Sequence, residues 1–88
     1  MSNTGRIILS HDWKDYDQRK VRERRNINMF SCANAWERRY LASKINLLYP
    51  QFDMESINRA IEMCCNAGGA RDVTRESFVQ CVAGELSK

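Results

Sequence analysis

The chain has little of the residue inventory on which enzymes and cofactor-binding proteins depend. Its 88 residues include one histidine, one proline and four glycines, and no glycine belongs to a phosphate-binding loop that opens a helix. Cys-x-x-Cys pairs, which structural zinc sites use, are also absent. No apolar run approaches the roughly 20 residues that cross a bilayer, so no membrane partner is expected. The apolar stretch 7–9 is too short for a signal-peptide core, and the sequence therefore favours the cytoplasm.

Catalytic chemistry has few candidate residues. A Cys–His pair would require a cysteine to meet His11 in space and a third group to orient the imidazole, and no spacing predicts this. Asp12, Asp15 and Asp17 cluster, but the glycine and distal glutamate of a calcium loop are missing. We therefore expect no enzyme activity, no metal and no cofactor. A cysteine-dependent enzyme or redox protein is an alternative, and it would contain a thiol with a depressed pKa.

The cysteines are even in number, so two disulfides are one option. They are Cys32, Cys64, Cys65 and Cys81. Because no secretion signal precedes them, reduced and mostly buried thiols are the prediction. On a helix the side chains of the adjacent Cys64 and Cys65 point about 100° apart, so the two thiols cannot easily bind the same zinc ion. Disulfide, metal and redox roles are the alternatives.

The second half of the chain carries clear helix-start signals. Residues 52–57 and 73–78 share one order: an apolar residue, a capping residue, any residue, glutamate, serine, and a second apolar residue. Asp53 and Thr74 can accept the first free backbone N–H groups, and Glu55 and Glu76 favour the positive end of the helix dipole. These signals predict helices over 54–66 and 75–86, the first ended by Gly68 and its neighbours.

A third helix is predicted over 33–49. Ser31 or Asn34 would cap it, its apolar residues recur with a period of 3.6, and Pro50 ends it. The period assigns the polar residues Glu37, Arg38, Lys44 and Asn46 to the outer face, with Arg39 on its flank. Residues 41–64 also resemble a helix-turn-helix, but the second helix carries Glu55 and Glu62 against one arginine, which suits phosphates poorly.

The first 30 residues are polar and basic. Arg6–Leu9 is predicted to be a short strand or an extended arm, and 10–25 a helix capped by Ser10 and docked through Trp13 and Tyr16. The asparagines at 26 and 28 indicate a break. The predicted fold is therefore all-α, a small bundle of three helices in a core domain, residues 31–88. A helical or extended segment, residues 1–30, precedes it.

Positive charge is concentrated in the first half of the chain. Residues 1–44 hold ten Lys or Arg against five Asp or Glu, whereas residues 45–88 hold four against six. Five of the basic residues lie between Arg19 and Arg25. A basic helical stripe can contact phosphates or an acidic protein surface, and it can also be a solvated face with acid–base pairs.

Two functions fit these observations. The first is a small non-enzymatic protein-binding module, an adaptor, regulator or inhibitor that occupies a partner's surface. The alternative is a nucleic-acid-binding protein, for RNA or DNA, that uses segment 19–25. Trp13 and Tyr16 would be exposed contacts or, alternatively, anchors of the segment. The predicted binding residues are Trp13, Tyr16, Arg19, Lys20, Arg22, Arg24, Arg25, Arg38 and Arg39.

Overall fold

The computed structural model describes residues 3–67 and 73–87, and this part of the chain is mainly helical. The elements in chain order are α1 (Asn3–Ser10), α2 (Lys14–Arg22), β1 (Met29–Phe30), α3 (Ala35–Leu48), α4 (Met54–Ala67), β2 (Val73–Thr74) and α5 (Arg75–Leu86). The all-α class is confirmed at this level, although the small sheet was not predicted. None of the helices described is long and apolar enough to cross a membrane. The predicted end of α4 at Gly68 lies outside the described residues.

The caps predicted for α4 and α5 are present. Asp53 Oδ1 accepts the N–H of Ser56 at 2.7 Å, and Thr74 Oγ1 accepts the N–H of Ser77 at 3.2 Å. The bonds from Ser56 also hold the pKa of Asp53 below its ordinary value. Asn34 stands at the N-cap of α3, but its side chain makes no cap bond. The two short cap motifs therefore fixed both helix starts locally.

The N-terminal prediction is partly wrong. Residues 6–9, predicted as a strand or extended arm, lie within α1, and the following helix begins at Lys14 rather than after Ser10. Ser10 Oγ bonds back to the Arg6 carbonyl, while Asp12 Oδ1 accepts the N–H of Lys14 at 2.9 Å. α1 packs against α5. This long-range contact stabilises α1, whose apolar residues do not by themselves predict a helix.

One hydrophobic core joins the N-terminal elements to the later helices, so the predicted three-helix bundle is not confirmed as a separate unit. Phe30 stacks on Phe78 with ring centroids 4.2 Å apart. The two-stranded sheet is antiparallel, with Phe30 opposite Val73. Buried core side chains come from all five helices, from β1 and from the segment between α1 and α2: Ile8, Trp13, Tyr16, Phe30, Leu41, Ala42, Ile45, Ile57, Ala60, Ile61, Cys64, Phe78, Val79 and Val82.

All four cysteines form disulfides, so the prediction of reduced thiols is wrong. Cys32 is bonded to Cys65 and Cys64 to Cys81, with Cα atoms 5.8 Å and 6.1 Å apart. Because adjacent residues on a helix point in different directions, Cys65 reaches the segment before α3 while Cys64 reaches α5. The angle that argued against a shared zinc ion therefore allows two separate cross-links.

Candidate functional site

A buried carboxylate fixes α2 against α3. Glu37 is fully buried, and its Oε1 accepts bonds from Tyr16 Oη at 2.7 Å, Lys20 Nζ at 2.9 Å and the Ser31 N–H at 3.0 Å. Its Oε2 accepts a bond from Asn34 Nδ2 at 2.6 Å. Tyr16 and Lys20 come from α2, so a helix with few apolar residues gains its position from this network. The prediction that Glu37 lies on the outer face is wrong, because its partners come from outside α3.

The electrostatics of this network follow from its contacts. Burial raises the pKa of Glu37, but bonds from Ser31, Tyr16, Asn34 and Lys20 outweigh burial and leave that pKa below its ordinary value of 4.5. Burial and the bond to Glu37 raise the pKa of Tyr16. At neutral pH the network therefore contains an ionised Glu37 carboxylate and a neutral Tyr16 phenol.

Three of the predicted binding residues are not accessible. Trp13 is 5% exposed, Tyr16 0% and Lys20 1%. Trp13 Nε1 donates to the Ile8 carbonyl at 2.9 Å, and its ring meets Tyr16 edge-on with centroids 5.1 Å apart. The two rings therefore correspond to the alternative interpretation, anchors of the segment, and Lys20 neutralises Glu37 instead of reaching a partner.

Two further predicted arginines, Arg25 and Arg38, are held by the protein itself. Arg25 lies 3.8 Å from Glu23 and 3.5 Å from Glu37. Arg38 donates from Nη1 to the Cys32 carbonyl. Arg24 is exposed in the turn after α2, with a φ of 57° in the left-handed region. The basic run 19–25 therefore does not form a continuous stripe on one surface.

The remaining predicted arginines meet in a groove between α2 and α3, which we call the arginine groove. It encloses about 500 Å³ and is lined by Asp15, Gln18, Arg19, Arg22, Trp36, Arg39, Tyr40 and Ser43. The Arg19 guanidinium lies 4.4 Å from the Trp36 ring centroid and 3.4 Å from a Glu23 carboxylate oxygen. Within the described residues, Arg22 and Arg39 have no ion-pair partner.

Trp36 and Tyr40 line this groove and also pack against the hydrophobic core. Both rings are half-buried. Trp36 Nε1 donates to Glu23 at 3.2 Å, and Tyr40 packs against Tyr16 with centroids 5.4 Å apart. Each ring therefore has one side on the core and another at the surface. α2 packs beside α3 and leaves the outer side of both rings open to the groove. The 3.6-residue apolar period of α3 does not specify where α2 lies.

The single histidine takes part in a second polar contact. Lys44 Nζ lies 2.9 Å from His11 Nδ1, also bonds the Asp12 carbonyl, and is 5.0 Å from the Tyr40 ring centroid. Burial lowers the pKa of Lys44, while Asp12 and Asp15 partly offset that effect. Lys44, predicted to face outward, is therefore buried and connects α3 to the segment between α1 and α2. No cysteine is free to pair with His11, since all four are in disulfides.

Neither metal chemistry nor known relatives identify the site further. In residues 3–67 and 73–87, no group of three or more His, Cys, Asp or Glu side chains is arranged to hold a metal ion. Comparison of the chain with protein-family models, curated proteins and solved structures found no match.

Proposed function

We propose that the protein is a non-enzymatic protein-binding module and that the arginine groove binds an acidic segment of its partner. The observation that carries this proposal is the pair of guanidinium groups on Arg22 and Arg39. They come from two different helices, flank the same groove and have no ion-pair partner among the described residues. Planar guanidinium groups bind carboxylates through two parallel hydrogen bonds, so such a pair suits a ligand with closely spaced Asp or Glu side chains.

The aromatic residues of the groove add to this preference. Trp36 and Tyr40 offer half-buried rings between the arginines, and residues of these types are enriched at energetically important interface positions. They take the role that the sequence assigned to Trp13 and Tyr16. Because Tyr16 and Lys20 fix α2 through Glu37, the groove exists before the partner arrives, and binding does not have to order the helix.

Nucleic acid is the second candidate ligand, since an aromatic ring beside arginines can also stack on a base. The case for nucleic acid is weaker because the basic residues of segment 19–25 do not all face one surface. Lys20 is buried and Arg25 is paired with Glu23 and Glu37, so fewer cations face one surface than the sequence suggested. An acidic protein segment requires only the few cations that the groove contains.

The cytoplasmic location predicted from the sequence stays a proposal. It rests on the short apolar stretch 7–9, and the cysteines do not support it, because all four form disulfides. Disulfides are uncommon in cytosolic proteins, where glutathione and thioredoxin keep thiols reduced. Fractionation of the native cell, with the protein detected by antibody, would test the location directly.

A peptide-display selection tests the proposed function. Peptides from a random library would be selected on the native protein and then measured against two variants. Arg22→Gln/Arg39→Gln removes the two groove charges, and Lys14→Gln/Arg59→Gln removes two exposed charges elsewhere. We expect acidic peptides whose affinity falls about tenfold or more with the first variant only, since each lost charged hydrogen bond costs about 1.5–3 kcal/mol.

The same proteins would be titrated with labelled RNA and duplex DNA at about 50 and 200 mM salt. Peptides that bind both variants equally, or no enrichment at all, would contradict the protein-binding proposal. Nucleic-acid binding that falls about 100-fold between the two salt concentrations and is lost with Arg22→Gln/Arg39→Gln would establish the second candidate instead.

A further inference from the structure

The two disulfides have different surroundings. Cys32 and Cys65 are both partly exposed and line an open groove of about 420 Å³ together with Arg38, Asn58, Ile61 and Glu62. In the other disulfide, Cys81 is exposed but Cys64 is 4% exposed and belongs to the hydrophobic core. The two bonds therefore differ in access and in where a released thiolate would lie.

Thiol–disulfide exchange is sensitive to both differences. A thiolate attacks one sulfur and expels the other as a thiolate, so the rate depends on access to the first and on stabilisation of the second. At Cys64–Cys81, attack on the exposed Cys81 would expel a Cys64 thiolate into apolar surroundings, which disfavour the charge. Attack on Cys64 is blocked by its burial. This bond is therefore protected in both directions.

The Cys32–Cys65 bond has the opposite character. Cys32 lies two residues before Asn34, the N-cap of the 14-residue helix α3, whose dipole places positive charge at this end. Arg38 donates to the Cys32 carbonyl and lines the same groove as the disulfide. Both features place positive charge beside Cys32, whereas the carboxylate of Glu62, one turn before Cys65 on α4, lines the same groove and disfavours a thiolate at Cys65. Cys32 is therefore the favoured leaving group and Cys65 the favoured point of attack.

We propose that Cys32–Cys65 is a site of thiol–disulfide exchange with a small thiol of the glutathione class, and that Cys64–Cys81 stays intact during this exchange. The thiol releases its proton to water, its sulfur bonds Cys65 Sγ, the protein S–S bond breaks, and Cys32 leaves as a thiolate. A second thiol then attacks the mixed disulfide, releases Cys65 and departs as the oxidised small molecule. Two electrons pass from two thiols to the protein. This proposal is independent of the arginine groove.

Limited reduction followed by mass mapping tests the proposal. The oxidised full chain would be incubated with reduced glutathione under native conditions, trapped directly with excess N-ethylmaleimide and digested at acidic pH. Fragment spectra would separate the adjacent Cys64 and Cys65. We expect glutathione on Cys65 and alkylation of Cys32 while Cys64 and Cys81 remain joined. Reduction of Cys64–Cys81 first, or of both bonds at one rate, would overturn the proposal.

The role of Arg38 is measured in the same assay. We expect Arg38→Gln to slow exchange about threefold or more, since a nearby cation lowers a thiol's pKa by about one unit or more and thus improves the leaving group. Lys14→Gln removes an exposed charge on α2, outside both grooves, and should leave the rate unchanged, while Arg38→Lys should retain most of it. A merely structural Arg38 would act in the other direction, because a loosened protein is reduced faster. An unchanged or faster rate in Arg38→Gln therefore refutes the assignment.

Discussion

Removal of the Cys32–Cys65 disulfide should lower the free energy of unfolding by several kcal/mol. The bond joins residues 33 apart in sequence, and the loop-closure entropy for that separation corresponds to about 3.7 kcal/mol at 25 °C. Small domains are stable by about 5–15 kcal/mol in total, so the loss is a large fraction of the whole. The perturbation is the double variant Cys32→Ala/Cys65→Ala, which leaves the other disulfide in place.

Urea unfolding followed by far-UV circular dichroism measures this loss. The dependence of the unfolding free energy on urea should also steepen, because the unfolded chain without the cross-link exposes more surface. Cys64→Ala/Cys81→Ala is the matched control. The two cysteines of that bond are 17 residues apart, and the loop-closure entropy for this separation corresponds to about 3.1 kcal/mol. The packing lost at the buried Cys64 adds to this cost. A loss below about 1 kcal/mol in Cys32→Ala/Cys65→Ala would refute the entropic argument. Free thiols in the native wild type would refute the pairing itself.

Other changes test the network and the helices, each by urea unfolding unless stated. Lys20→Met should cost about 3–5 kcal/mol, because it removes the buried cation 2.9 Å from the Glu37 carboxylate and leaves only the exposed Arg25 to pair with it. Glu37 has a depressed pKa, so its contribution should be complete above the ordinary value of 4.5 and decline as pH falls through the lower folded value. A thermal midpoint that does not fall between pH 6 and pH 3 would contradict this. Gly84→Ala should stabilise by about 0.5–1 kcal/mol, because Gly84 lies within α5 and an added Cβ meets no atom within 4 Å. Thr74→Ala should cost about 0.5–2 kcal/mol through the lost α5 cap, and an unchanged midpoint would place the helix start elsewhere.

The elements that the sequence predicted well are those fixed by local contacts. α4 and α5 begin where Asp53 and Thr74 can cap them, and each cap bond spans three residues. α1 and α2 depend instead on distant partners. Tyr16, for example, bonds Glu37 across 21 residues. The residues of one segment do not reveal such a distant partner, so the sequence predicted a helix over 10–25 without the bonds that fix its position.

Charged residues on α3 show the same limit. Period analysis places Glu37 and Lys44 on the polar face because an ionised side chain is costly to bury. The cost is offset here by groups from other elements: Lys20 and Tyr16 for Glu37, and His11 and the Asp12 carbonyl for Lys44. The burial of Glu37 and Lys44 therefore depends on partners from other elements, which the apolar period of α3 does not specify.

The candidate groove could be predicted only in its composition. Segment 19–25 pointed to an arginine-rich face, and Arg19 and Arg22 do line the groove. The burial of Lys20 and the position of Arg39, also a predicted binding residue, beside Arg19 and Arg22 both result from the docking of α2 on α3. The cysteine prediction failed for a related reason. It rested on the expected compartment, whereas the pairing is set by which elements Cys64 and Cys65 face.

The Glu37 network links the stability of the domain to the shape of the arginine groove. α2 buries Tyr16 and Lys20, and both bond to the same carboxylate on α3, so Glu37 contributes to the position of both walls of the groove. The cations that hold the wall in place are consequently different from those that face outward. Lys20 is used inside the protein, whereas Arg22 and Arg39 have no ion-pair partner within the described residues. Because Lys20 pairs with Glu37 inside the protein, Arg22 and Arg39 can bind a ligand without competing for the carboxylate that positions α2.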